Sequence, residues 1–249
     1  MKIKNGLCFL LLISMISCKK NANICNAIAN SKLTATTSVT IGDDIRVSAP
    51  NLGPDFMYTW HGPAGFNSPN PADSFSYCAP KNEGWYYLLI VSPDGSCQKY
   101  DSIYVTVNFP QGSPACSITA DNVIYNNNPT DIFPSITREI DTDFSELALT
   151  GSTNDATITV YFHPNWRTIE PEDGIYNTVQ EPYDPLDQNY NEVSIAITTN
   201  GFNWENQEGQ KVYISHIGSK LQVQFCDLTL FDVNGSGITT TASSNLVEQ

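Results

Sequence analysis

The chain has 249 residues, with 12 Lys and Arg against 26 Asp and Glu, a formal net charge of -14, three His and seven Cys. So acidic a chain repels nucleic acid, which excludes that class of partner and leaves cations, basic partners or plain solubility as uses for its charge. Its length exceeds one small sandwich and suits two domains of roughly 100 to 130 residues each.

At the start, Lys2 and Lys4 precede an apolar run at residues 7–16, which stops at Ser17 and Cys18. A basic start, a short apolar stretch and a small residue before a thiol make the pattern of a cleaved lipoprotein signal, with Cys18 as the lipid acceptor. Met15 departs from it, since Leu is the commoner residue three places before the cysteine. The run, at about ten residues, is too short to span a bilayer comfortably. The pattern predicts a signal peptide at 1–17, a lipidated tether at 18–28, and an outer-membrane lipoprotein of the cell envelope, periplasmic or surface-exposed. Attachment to the membrane then rests on the lipid alone, where each buried methylene contributes about 0.8 kcal/mol and two or three acyl chains hold firmly.

Beyond the lipidation site come Cys25, Cys78, Cys97, Cys116 and Cys226, with no CxxC spacing among them. They predict disulfides in an oxidising compartment rather than a zinc site, with one thiol left unpaired. Cys25, Cys97, Cys116 and Cys226 are the candidates for pairing.

Over residues 29–109 short alternating runs are broken by turn residues, the mark of antiparallel strands. Ile45, Val47 and Ala49 alternate with polar residues, then Phe56, Tyr58 and Trp60, and finally Ile103, Val105 and Val107. Residues 84–91 differ: Tyr86, Leu88 and Ile90 point one way while Trp85, Tyr87, Leu89 and Val91 point the other. A sandwich strand normally has one apolar face, so the second is expected to take cover from the C-terminal domain.

The run Gly42-Asp43-Asp44-Ile45-Arg46-Val47, then Trp60-His61-Gly62-Pro63-Ala64-Gly65-Phe66, then Glu83-Gly84-Trp85-Tyr86-Tyr87-Leu88 resembles an immunoglobulin-like or PKD-like sandwich, as found in repeats of bacterial cell-surface proteins. The resemblance places Trp60 in the core and Tyr86 at the tyrosine corner. Ala49 and Leu88 stand where the intersheet cysteines of an antibody domain would be, so apolar packing replaces that pin. In such a fold the start of the first strand and the loop between the last two lie at one end. Cys25 and Cys97 would meet there, with Cys78 to Cys97 as the alternative.

Residues 110–115 contain Pro110 and Pro114 and read as a short stiff linker. Residues 116–249 carry four basic residues against nineteen acidic ones and predict an acidic β-sandwich domain. Ile158, Val160 and Phe162 alternate, as do Val193, Ile195 and Ile197. Asn200-Gly201 and Gly218-Ser219 are two-residue hairpin signals. Leu221, Val223 and Phe225 share one parity and Leu228 and Leu230 the other, so a bulge is expected at Cys226 and Asp227. Through Gly174-Ile175-Tyr176 and residues 209–232 this part resembles β-sandwich domains of bacterial surface lipoproteins, a likeness that implies no activity.

Chemistry is sparse. His61, His163 and His216 are the imidazoles, and no serine or cysteine stands in a nucleophile motif, so His216 is expected to be structural. Glu170-Pro171-Glu172-Asp173 offers paired carboxylates, but acids are too abundant here for a pair to signal glycoside cleavage. No cofactor is required. Calcium is an option at Asp184, Asp187 and Glu192, in a segment that also holds Asn189 and Asn191, because hard cations take several oxygens. Trp166, Trp204, Tyr183 and Tyr190 are candidates for stacking on a sugar.

The fold expected is all-β, two β-sandwich domains with the first immunoglobulin-like, after a cleaved lipoprotein signal. The function expected is a noncatalytic envelope lipoprotein that presents these domains for binding or adhesion to a protein or glycan partner. The alternative is a carbohydrate-binding or carbohydrate-degrading accessory lipoprotein.

Overall fold

A strand with apolar residues at every second position buries one face and leaves the other to water. That alternation organises the computed structural model, which describes residues 22–125, 130–140, 146–163, 170–180, 190–199 and 201–249. The protein is all-β apart from short helical stretches, and its chain divides into two units, one ending at Asn108 and the other beginning at Phe109.

The first unit has two sheets. Thr34–Ala35, Ile45–Ser48 and Ala72–Phe75 make the smaller. The larger runs in the order Ser38–Thr40, Gln98–Asn108, Gly84–Val91, Met57–His61, Asn67–Ser68, antiparallel except that Ser38–Thr40 lies parallel to Gln98–Asn108. This is an immunoglobulin-like arrangement, with the second and third long strands on opposite layers and the last strand capped by a switched first strand. Between the layers lie Ile45, Val47 and Ala49 from one sheet and Tyr58, Trp60, Tyr86, Leu88, Ile90 and Val105 from the other. Trp60 is fully enclosed and its Nε1 donates to the Asn70 carbonyl at 3.0 Å. Ala49 and Leu88 are buried apolar contacts at the places an intersheet disulfide would take.

Residues 22–30 are helical and send Ile28 into the same core. Cys25, on that helix, is bonded to Cys97, closing a span of 72 residues. Constraining a loop of that length in the unfolded chain contributes about 4 kcal/mol in the chain-entropy account. Cys78 is a free thiol, buried, and donates to the Thr40 carbonyl at 3.0 Å, so the alternative pairing with Cys97 does not form.

In the second unit the strands are Asn122–Tyr125, Asp131–Ile132, Ile136–Ile140, Leu147–Ser152, Ala156–Phe162, Gly174–Thr178, Glu192–Thr199, Phe202–Asn206, Lys211–Ile217, Lys220–Asp232 and Thr239–Val247. Two of them change partner along their length. Glu192–Thr199 begins parallel to Gly174–Thr178 and continues beside Phe202–Asn206. Lys220–Asp232 begins beside Lys211–Ile217 and ends beside Phe202–Asn206. Since Gly174–Thr178 also pairs with Lys211–Ile217, the hydrogen bonding closes on itself through these five strands. Strands that switch sheets at a bend form the corners of such a sandwich.

The bulge expected in the long strand is present, with the register shifting between Phe225 and Leu228 and Asp227 in the left-handed region at φ 50. It resets the parity, so Leu221, Val223, Phe225, Leu228 and Leu230 are all buried. Cys226 sits at the bulge and is bonded to Cys116, 110 residues away. The hairpin glycines turn as their dipeptides predict, Gly201 at φ 79 and Gly218 at φ 68.

The segment expected to be a linker is bonded to this unit. Phe109 stacks on Tyr176 with ring centroids 5.4 Å apart, and the Ile175 amide donates to the Pro110 carbonyl at 2.7 Å. Gln111 Nε2 donates to the Asp173 carbonyl at 2.9 Å, and Gly112 lies so close to Ile175 that a Cβ would stand 2.7 Å from its Cδ1.

Candidate functional site

Two places on the molecule combine side chains in ways that packing alone does not require. The first is the outer face of the larger sheet in the first unit. Across the strands, Trp85 pairs with Tyr104, Tyr87 with Ser102 and His61, and Leu89 with Tyr100 and Thr59. Inner-face partners at the alternate positions fill the core, so these rings can only point outward. Trp85 is 50% exposed, Tyr87 53%, Tyr100 71% and Met57 59%.

No Lys, Arg, Asp or Glu lies on the face, although the chain as a whole is strongly acidic. Trp85 and Tyr104 meet edge to face at 5.4 Å. The Tyr104 hydroxyl donates to Glu83 Oε1 at 3.0 Å, and that bond, with some burial and the carboxylate charge, raises its pKa. Glu83 also accepts from the Val107 amide at 3.0 Å, which fixes the edge of the patch. A contiguous, uncharged set of Trp, Tyr and Met rimmed by polar groups has the composition of an interaction surface.

The second place is in the second unit. His216 sits near the end of Lys211–Ile217, on the same side as the buried Val212 and Ile214 but at the rim of the core. Its Nδ1 lies 2.6 Å from Asp173 Oδ1 and its Nε2 3.1 Å from Glu170 Oε1. Arg138, from Ile136–Ile140, bonds Glu170 and reaches Glu248 Oε1 at 3.2 Å. Glu248 in turn accepts the Leu221 amide at 3.0 Å. The cluster borders a cleft of ≈ 590 Å³ that Glu172, Gly218 and Ser219 also line.

Burial pushes the His216 pKa down, but the hydrogen bonds to Asp173 and Glu170 outweigh it and the net shift is upward. For Glu170 burial pushes up, and the bonds from Arg138 and His216 more than offset it, so its carboxyl is held below the ordinary range. With a carboxylate at hydrogen-bond distance from each ring nitrogen, His216 ties residues 170–173 to the strand Lys211–Ile217. Sequence spacing gave no sign of this meeting, because the acids lie 43 and 46 positions before the histidine.

The residues proposed from sequence distribute as follows. Trp204 is 2% exposed and stacks on Phe202 at 5.1 Å, while Tyr190 is 7% exposed and stacks on His163 at 5.6 Å. Neither offers an open ring to a sugar, because strand alternation turns Trp204 inward beside Ile197. Trp166, Tyr183, Asp184, Asp187 and Cys18 lie outside the described residues. Glu192 begins the strand Glu192–Thr199. Among the described residues no group of three or more His, Cys, Asp or Glu is arranged to hold a metal ion. Nor, among them, is any helix long and apolar enough to cross a membrane.

No protein-family profile matches the chain and no curated protein does. Among solved structures it is similar to the second Ig-C2 domain of human Fc-receptor like A, at 11% identity and TM-score 0.26, over 31% of this chain and 95% of that one. It is also similar to a tandem pair of titin immunoglobulin domains, at 12% identity and TM-score 0.22, over 88% of this chain and 96% of that one. Likenesses this distant add nothing to the fold, which rests on strand order, register and the buried Trp60 and Tyr86.

Proposed function

We propose that this chain is a noncatalytic binding protein of the cell envelope, exported by its leader, held by lipid on Cys18, and engaging its partner through the outer aromatic face of the first unit. The observation that carries the reading is the exposure of Trp85, Tyr87, Tyr100 and Met57 together on a face without a charged side chain. Burying such rings against a complementary surface is where binding energy concentrates in protein interfaces. The two disulfides support export, since such bonds persist in oxidising compartments. The double engagement of His216 supports a role without chemistry.

The second unit, with four basic residues against nineteen acidic ones, serves this reading as a soluble body. A carbohydrate partner would rest on the same rings of the first unit, since Trp204 and Tyr190 are enclosed.

The test is binding of the soluble Cys18→Ala chain to intact envelopes, against the same chain carrying Trp85→Ser, Tyr87→Ser and Tyr100→Ser. Saturable binding that falls at least tenfold in the triple variant, with circular dichroism unchanged, is the expected result. Equal binding by both chains removes the aromatic face from the function. A glycan array probed with the same pair separates a sugar partner from a protein one.

A further inference from the structure

The binding role leaves unused the ion cluster of the second unit, which joins a loop to a strand through one titratable side chain. We propose that His216 is a pH-operated clasp on residues 170–173, closed while its imidazolium donates from both ring nitrogens and half-released when one proton leaves. The geometry requires both protons. Asp173 Oδ1 at 2.6 Å from Nδ1 and Glu170 Oε1 at 3.1 Å from Nε2 are acceptors, and neither can donate while ionised. A neutral imidazole carries a single N–H, so one carboxylate must then face a ring lone pair at hydrogen-bond distance.

The surroundings decide which bond opens. Glu170 has a second cation, Arg138, which Glu248 orients from the other side. Asp173 has no second cation among the described residues. The remaining proton therefore stays on Nδ1 with Asp173, and the bond to Glu170 is the one that breaks. Glu172 lines the same cleft and adds negative charge that favours the closed, protonated form. On its own strand Lys211, Tyr213 and Ser215 stand at positions of the opposite parity, and Leu221 is the uncharged partner across from His216. The loop is thus held at Asp173 and freed at Glu170, which widens the cleft between Pro171 and Ser219 as pH rises.

The experiment is a two-part titration of the soluble Cys18→Ala chain. Imidazole resonances of His216 are followed by NMR between pH 5 and 9, and backbone amide exchange at Glu170, Glu172, Asp173 and Gly174 is measured over the same range after correction for intrinsic base catalysis. The expected result is a rise in corrected exchange of about tenfold, the loss of one charge-assisted hydrogen bond, centred on the His216 midpoint. Glu170→Gln, which keeps shape and removes charge, lowers that midpoint and shifts the exchange step with it. His216→Gln abolishes the step. Exchange that stays level through the His216 transition, or a midpoint unmoved by Glu170→Gln, overturns the clasp.

Discussion

The Tyr86 hydroxyl donates to the Asn82 carbonyl at 2.9 Å from a fully buried ring. Four residues apart, the two tie the start of Gly84–Val91 to the short helical turn Pro80–Asn82, and the turn can no longer swing away from the core. Tyr86→Phe keeps the ring and strands the carbonyl. A buried acceptor left unpaired costs about 1 to 3 kcal/mol, so the urea midpoint of the first unit should fall while its slope stays constant. An unchanged midpoint would show that water replaces the bond freely.

Gly62 passes against the same ring, where a Cβ would stand 2.6 Å from Tyr86 Cδ1. The ring is enclosed and cannot retreat, so Gly62→Ala is expected to destabilise the first unit by about 1 to 3 kcal/mol through overpacking. Tyr86→Leu in the same chain should recover part of the loss by making room. Additive effects of the two substitutions would refute the contact as the cause.

Cys78 is the free thiol of the first unit, buried, and burial chiefly raises its pKa. A chain that begins at residue 18 and carries Cys18→Ala should therefore show no reaction with an aromatic disulfide reagent while folded. After unfolding in denaturant without reductant it should release one equivalent per chain. Three equivalents would mean that one of the bonds Cys25–Cys97 and Cys116–Cys226 is absent in solution, and five that both are.

The ion cluster gives the second unit a stability window in pH. The His216 pKa rises on folding, so its contribution is full below its ordinary 6.5 and fades as pH climbs through the folded value. The Glu170 pKa falls on folding, so its contribution is full above its ordinary 4.5 and fades as pH drops through the folded value. The cluster therefore stabilises most between these two ordinary values. Both groups are partly exposed and screened, which limits the effect to about 1 kcal/mol or less. Melting the parent and His216→Gln across pH 4 to 9 should give curves that separate most between the two ordinary values and converge as pH rises through the folded His216 value.

Much of the fold was legible because strands report themselves through parity. The opposed parity of Phe225 and Leu228 required an extra residue, and the bulge stands there. Trp60 and Tyr86 take the core and corner places that the resemblance to an immunoglobulin-like sandwich implies. What stayed hidden depends on strands distant in sequence. Phe202–Asn206 pairs with two different strands and closes the second unit, and nothing in its five residues encodes that double role. Residue type alone makes Trp204 a candidate for stacking on a sugar, whereas its place opposite Ile197 makes it core. The outward rings of Gly84–Val91 were seen, but parity says only that a face is apolar, not that it stays open. His216 and its acids meet through the folded register alone.

The disulfide at the bulge also bears on how the molecule answers tension. A pull along the chain that reaches Cys116 passes straight to Cys226 and bypasses the stretch that separates them by 110 positions. Roughly 370 Å of extensible chain is thereby withheld at about 3.4 Å per residue. Cys25 and Cys97 withhold a further 72 residues in the first unit. Until those bonds are reduced, neither stretch can be drawn out to its full length under load.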